Sequence, residues 1–272
     1  MPEGPEVKLF VDKLKSYENK KIRSINFMSG RFLKKSPDIS VFIGRKFDNI
    51  SCKGKFIWFE CESNIIFNTL GMTGSWSLTE TQHSRISIEF ETNEVIYFND
   101  MRSFGTFQVK NRKELDKKLK SIGPDMLSDP PTIKDFIKRL RKKSNKNICE
   151  VLMNQSVVSG VGNYIKAESL WLSRIYPFAS IKDLTDDNLQ SLYYAVLFVI
   201  RSSYASQGAT LQTYYTFDDE KGSYVDQLYV YGKKKDWHGY DVIKSETPDK
   251  RTTHYSRRQI IGKSNELQLP RL

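Results

Sequence analysis

The chain has 272 residues, 39% hydrophobic and 12% aromatic, which is enough for one large domain or two modest ones and too apolar for a disordered chain. Its longest apolar runs, near Ile65–Phe67 and Ala195–Ile200, fall far short of the roughly 18 residues that span a bilayer. The 43 basic residues outnumber 32 acidic ones, and the net charge of +11 is the footprint of a nucleic-acid partner, although a solvated lysine-rich surface would give the same balance.

In chain order, Val7, Phe10, Val11 and Leu14 recur at i, i+3, i+4, i+7 and predict a leading helix. Between Lys21 and Phe107 the segments IRSINFM, KFIWFEC, IIFNTLG, SRISIEF and VIYFND are short, β-branched or aromatic, and bounded by turn residues. Such a series predicts a β-sandwich or barrel. Lys113–Lys120 reads as a charged helix, and SIGPDMLSDPPT as a linker. Helices are then predicted over Ile133–Leu140, Ile148–Met153, Tyr164–Leu172 and Leu189–Ser203, the last capped within Thr185–Asp187. Gln207–Ser223 reads as a polar loop, and YDVIK and RTTHYS as two strands about the turn SETPD.

The expected organisation is α+β: a β domain with a leading helix over 1–121, a linker over 122–132, a helical domain over 133–226, and a hairpin with a tail over 227–272. Two basic domains joined by a linker would leave a cleft for a duplex. The opening MPEGPEV has neither a basic nor an apolar signal region, so no secretory signal is expected. Cys52, Cys61 and Cys149 are odd in number and widely spaced, which argues against a disulfide framework. With no CxxC pair and with His83, His238 and His254 scattered, neither a metal nor a cofactor is expected, and the compartment is expected to be intracellular and reducing.

Five segments carry candidate chemistry. Removal of Met1 from MPEGPE would leave Pro2 as a free secondary amine. An α-amino group has a pKa near 8 against about 10.4 for lysine, so roughly a tenth is unprotonated at neutral pH. That amine is a ready nucleophile for a carbonyl-level carbon such as a sugar C1′, with Glu3 and Glu6 beside it for proton transfer. The same residues are also an ordinary helix start. In KGKFIWF, Lys53 and Lys55 could aim a cation at a phosphate or could simply protect a strand edge. GMTG and DMRSFG could push Met72, Arg102 and Phe104 into a base stack, because an enzyme that extrudes a base must fill the gap; they could equally be two turns. The stretch Ile148–Trp171 reads as helix, glycine turn, helix, with backbone N–H groups near Asn163 free to meet a phosphate; a plain helical hairpin has the same spacing. Arg251, in KRTTHYS, could enter a groove from a hairpin tip or lie in a solvated basic tail.

Together, MPEGPEV, GKF, LGMTGS, DMRSFG, IGPD, LMNQ…SGVGNYIKAESL and LYVYGKK occur in the order and at the spacing of the formamidopyrimidine-DNA glycosylase/endonuclease VIII family, which the chain resembles from Met1 to Lys234. The resemblance implies a β-sandwich, a helix–two-turn–helix domain and a terminal hairpin. It also implies a bifunctional DNA glycosylase and abasic-site lyase, acting as a monomer on damaged duplex or single-stranded DNA. By resemblance, Pro2 is the nucleophile, Glu3 the general acid/base and Lys55, rather than Lys53, the catalytic lysine. Met72, Arg102 and Phe104 correspond to the void-filling trio, Asn163 to the phosphate-contacting asparagine, and Arg251 to the hairpin arginine with a role in δ-elimination. His83 lies where the family has a DNA-contacting histidine. The chain departs from the four-cysteine zinc finger of bacterial members, having no cysteine after Cys149, and resembles the zincless-finger branch. Its hairpin is therefore expected to hold by strand pairing and by packing of Trp237, Tyr240 and Tyr255. Gly4 favours the endonuclease VIII-like branch and oxidised pyrimidines or hydantoins; the length of Gln207–Tyr231 is similar to the loop that caps 8-oxoguanine in the other branch. The resemblance places the protein wherever the DNA is, nucleus or cytoplasm.

Overall fold

The computed structural model describes residues 2–34, 36–209, 217 and 222–261. It divides into two compact units: Met1–Ser121 with Ser206–Val225, and Ile122–Ala205 with Asp226–Leu272.

The first unit opens with helix α1 (Gly4–Leu14), which buries Val7, Phe10, Val11 and Leu14, the stripe its spacing predicts. Eight strands and a one-turn helix α2 (Arg31–Lys34) follow. They are β1 (Ile22–Phe27), β2 (Asn49–Lys53), β3 (Phe56–Cys61), β4 (Asn64–Thr69), β5 (Gly74–Ser77), β6 (Ser84–Phe90), β7 (Val95–Asp100) and β8 (Thr106–Asn111). They form two four-stranded antiparallel sheets, ordered β1-β6-β7-β5 and β2-β3-β4-β8. Ile57, Phe59 and Ile66 from one sheet meet Trp76, Ile88 and Phe98 from the other in one buried core, which α1 joins. Burying each such side chain contributes about 1.5–3 kcal/mol, and this core is the main stabilising term of the unit. The outer aromatic residues of β3 and β4 pack together, Phe56 against Phe67 at 4.9 Å, beside helix α3 (Arg112–Ser121). This is why KFIWFEC reads as nearly continuous apolar sequence instead of an alternating one.

Ser206–Val225 was expected in the helical domain but belongs to the first unit. Ala209 N–H donates to Glu6 Oε1 at 2.8 Å, and Phe217 is buried with its ring 6.3 Å from that of Tyr17. The rest of the predicted Gln207–Ser223 loop, residues 210–216 and 218–221, lies outside the described residues.

The second unit holds α4 (Ile133–Arg141), α5 (Ile148–Met153), α6 (Asn163–Leu172) and α7 (Asp186–Ala205), then β9 (Val242–Thr247), β10 (Arg251–Ser256) and α8 (Arg257–Ile261). The starts of α4, α5 and α7 are set by side chains. Thr132 caps α4 by accepting from Asp135 N, and Asn147 forms a reciprocal box with Glu150 at α5. Helix α7 begins earlier than the predicted Leu189, because Thr185 Oγ1 already accepts the N–H of Asn188 at 3.2 Å. Strands β9 and β10 pair antiparallel from Thr247↔Arg251 to Val242↔Ser256, so three residues of the expected turn SETPD continue β9. No helix of the described residues is long and apolar enough to cross a membrane.

The hairpin shows the expected strand pairing and packing of Tyr255, but Trp237 does not take the buried place expected of it. Trp237 is 68% exposed, its ring edge-on to that of Tyr229 at 5.6 Å. Trp171, on α6, occupies the buried position instead, stacked between Tyr229 at 5.1 Å and His238 at 5.5 Å. Tyr240 lies under Arg257, and Tyr255 packs on Tyr176 and Phe178. Buried acids do the rest. Glu168, fully buried on α6, accepts the backbone N–H groups of Tyr229, Val230 and Tyr231 at 2.6–2.9 Å. Asp236 accepts from Trp171 Nε1 and from the N–H groups of His238 and Tyr240. Burial alone would raise the Asp236 carboxyl, but the Ser256 side chain, followed by these donors, holds it below the usual carboxylate range.

Candidate active site

Pro2 is buried at the mouth of α1, and Glu3 is the N-cap of that helix, 2% exposed. Glu3 and Glu6 form a reciprocal capping box: the Glu3 carboxylate accepts from Glu6 N, and Glu3 N donates to Glu6 Oε2 at 2.8 Å. The other Glu6 oxygen takes the Ala209 N–H. Both carboxylate oxygens of Glu6 are therefore engaged by backbone donors, which fixes where the chain starts. Helix α1 packs on β2 and β3, whose connection is the two-residue turn Gly54-Lys55. Gly54 takes φ +58, as such tight hairpins require, and half-buried Lys55 follows it immediately before β3. Lys53 is used differently, since its Nζ donates to Leu119 O at 3.1 Å.

A second group forms at one edge of the same unit. The Met72 turn and the Arg102–Phe104 loop touch backbone to backbone: a Cβ at Gly71, where φ is +63, would lie 2.7 Å from Gly105 N and Phe104 C. Phe104 is 51% exposed, and the Arg102 guanidinium lies 4.6 Å from the centre of its ring. This loop is built on polar contacts. Asp100, fully buried, accepts from Thr73 Oγ1 at 2.6 Å and from Gly105 N at 2.7 Å. Arg85 on β6 donates to Asp100 O at 2.8 Å and to Ser29 Oγ at 2.6 Å, and Arg31 donates to Gly105 O. His83 joins the edge through its backbone, its carbonyl accepting Asp100 N at 2.9 Å. An exposed aromatic ring with a cation on its face, held on a buried polar base, is suited to stacking against a nucleobase.

A third group lies in the second unit. Asn163 is the first residue of α6; its Nδ2 donates to Thr252 O at 3.0 Å, and its Oδ1 is buried without a hydrogen-bond partner. Arg251, exposed, is the neighbour of Thr252 at the start of β10. Asn163, at the N-terminus of α6, thus lies against the backbone of the residue that follows Arg251, 88 positions on from Asn163 in sequence.

The structure brings together Pro2, Glu3 and Glu6; Met72, Arg102, Phe104 and His83; and Asn163 with the backbone of Thr252, next to Arg251. Sequence reading missed Thr73, Arg85, Asp100 and Arg31. Thr73 and Asp100 lie inside the GMTG and DMRSFG motifs, beside the bulkier Met72, Arg102 and Phe104. Nothing in the local pattern marks Arg85 or Arg31. Among the described residues, no group of three or more His, Cys, Asp and Glu side chains is placed to hold a metal ion.

His254, opposite Lys244 on β9, is 9% exposed with its ring 4.7 Å from Tyr231. Burial, with Lys244 and Lys166 adding to it, lowers its pKa to about 4. The folded value lies below the unfolded one near 6.5, so this contribution to stability is complete above about pH 6.5 and is lost as pH falls through about 4. Wild type is expected to lose on the order of 2 kcal/mol more than His254→Phe between pH 7 and pH 4.5 in urea titrations. Parallel losses in the two proteins would refute this.

Residues 1–107 match the family model for the formamidopyrimidine-DNA glycosylase N-terminal domain, and residues 122–215 match that for the formamidopyrimidine-DNA glycosylase H2TH domain. A formamidopyrimidine-DNA glycosylase from Ureaplasma parvum is 31% identical over 259 residues, covering 87% of this chain and 90% of the relative. The crystal structure of the MutM (Fpg) protein from Thermus thermophilus superposes with a TM-score of 0.85 at 26% identity, covering 95% of this chain and 98% of the other. The Lactococcus lactis enzyme, solved non-covalently bound to DNA containing an abasic site, gives a TM-score of 0.80 at 27% identity, with 94% and 98% covered.

Proposed function

The chain belongs to the formamidopyrimidine-DNA glycosylase/endonuclease VIII family, and from that premise we propose that it excises oxidised bases through a covalent Pro2 intermediate and then cleaves the strand. It is a DNA glycosylase of base excision repair that binds damaged DNA. In the proposed reaction the Pro2 nitrogen attacks C1′, the glycosidic bond breaks, and the damaged base leaves with its bonding electrons. Glu3 moves the protons of this step. The resulting Schiff base acidifies the 2′ hydrogens and permits β- and then δ-elimination of the flanking phosphates, with Arg251 serving the second. Lys55 supplies a fixed cation. Because both oxygens of Glu6 are held by backbone N–H groups, its role is to position Pro2 and Glu3, in place of the proton transfer expected from sequence. Met72, Arg102 and Phe104 fill the space of the extruded base, His83 contacts DNA at the same edge, and Asn163 contacts phosphate. Gly4 supports oxidised pyrimidines and hydantoins as the preferred lesions, while the names of the relatives support formamidopyrimidines.

The observation that carries this reading is Glu3, a carboxylate 2% exposed and fixed as the N-cap directly beside Pro2. The test is borohydride trapping on a duplex with an abasic site, using a free Pro2 terminus and one blocked by a retained tag. A covalent adduct is expected with the free terminus only. No adduct with either protein would leave a damaged-DNA-binding protein without this chemistry. Single-turnover excision across a lesion panel then ranks oxidised pyrimidines, hydantoins, formamidopyrimidines and 8-oxoguanine.

A further inference from the structure

Lys166 and Asp249 form an ion pair at 2.6 Å, with side chains 0% and 4% exposed. Lys166 lies in α6, three residues and therefore one turn after Asn163, and Asp249 lies in the β9–β10 turn. The two α6 side chains grip the same end of the hairpin: Asn163 takes the Thr252 carbonyl, and Lys166 takes Asp249 Oδ2. The turn itself is tied internally. Thr247 Oγ1 bonds Asp249 Oδ1 at 2.5 Å and Thr253 Oγ1 at 2.7 Å, and Lys250 N donates to Thr247 O at 2.8 Å. Lys250 adopts φ +58, a left-handed conformation uncommon for a lysine, and Arg251 is the next residue. Cys149 lies among the same groups, and burial pushes its thiol up to about 11, so it stays neutral there.

Two charges removed from water seldom add net stability over well-packed apolar groups. A buried pair does supply direction, because an ammonium and a carboxylate hold one geometry where methyl groups would slide. Arg251 follows the anchored turn directly, so the pair acts on the placement of that one exposed cation.

We propose that Lys166 is a positioning residue that, through Asp249, sets the β9–β10 turn and thereby the phosphate contact of Arg251. This rests on the assignment of Arg251 given above. The experiment measures Kd for a duplex carrying a tetrahydrofuran abasic analogue across a salt series, using wild type, Lys166→Met, Arg251→Ala and the double variant. Lys166→Met is expected to weaken binding at least tenfold and to lower the slope of log Kd against log salt by about one, the loss of one phosphate contact. Arg251→Ala is expected to do the same, and the double variant to bind no worse than the weaker single one. Wild-type affinity or an undiminished slope in Lys166→Met would overturn the inference, as would a loss that adds to that of Arg251→Ala. If thermal melting shows Lys166→Met to be unfolded, Lys166→Met with Asp249→Leu takes its place under the same criteria, since removing both charges leaves no orphaned carboxylate. Wild-type binding by Arg251→Ala would instead sink the assignment of Arg251, and the inference with it.

Discussion

Glu3→Gln is expected to slow excision of an oxidised base by about a thousandfold or more, within the range that a positioned general acid/base contributes. The amide keeps the shape and can still accept the Glu6 N–H at the start of α1, so the helix and Pro2 stay where they are. What is lost is the proton. On a duplex that already contains an abasic site no base has to leave, and Pro2 can still attack C1′, so strand cleavage is expected to fall far less. Single-turnover kinetics on the two substrates measure the difference. Equal losses on both would show that Glu3 acts in forming the Schiff base as such, or that the substitution has displaced Pro2. Excision at the wild-type rate would remove Glu3 from the mechanism.

The largest effect on stability is expected at a residue distant in sequence from Pro2. Glu168→Ala leaves three backbone N–H groups, those of Tyr229, Val230 and Tyr231, without their buried acceptor. Each orphaned donor costs about 1–3 kcal/mol, and partial relaxation or entry of water offsets some of it, so a net loss of roughly 4 kcal/mol is expected. For a protein of this size that corresponds to a fall in Tm on the order of 10 °C. The same three residues precede the hairpin, so affinity for abasic-site DNA is expected to weaken along with the melting temperature. Differential scanning calorimetry decides the first point, and a shift below about 3 °C would mean that the segment finds other acceptors.

The linear sequence contained the periodicities and the ordered motifs. The 3.6-residue spacing of Val7, Phe10, Val11 and Leu14 is enough to define α1 and its buried face. Strand segments such as SRISIEF and VIYFND were legible because β-branched and aromatic residues are bounded there by turn formers. The order of MPEGPEV, LGMTGS, DMRSFG and SGVGNYIKAESL identified the family, since each motif is local and its spacing survives in one dimension. Strands β2, β5 and β8 were not separated, because each is short and flanked by residues that read as turns or as part of a neighbouring run.

Only the tertiary structure decided which polar residues hold the site. The two oxygens of Glu6 meet donors at positions 3 and 209, and the turn of Lys250 is anchored by Lys166, 83 positions before Asp249. Arg85 supports the loop of Phe104 from another strand, and Trp171 occupies the place that sequence reading gave to Trp237. Hydrophobic periodicity is a property of consecutive residues and survives in one dimension. A hydrogen bond between distant residues depends on how sheets and helices close upon one another, and a single sequence carries no signal for which buried donor meets which acceptor.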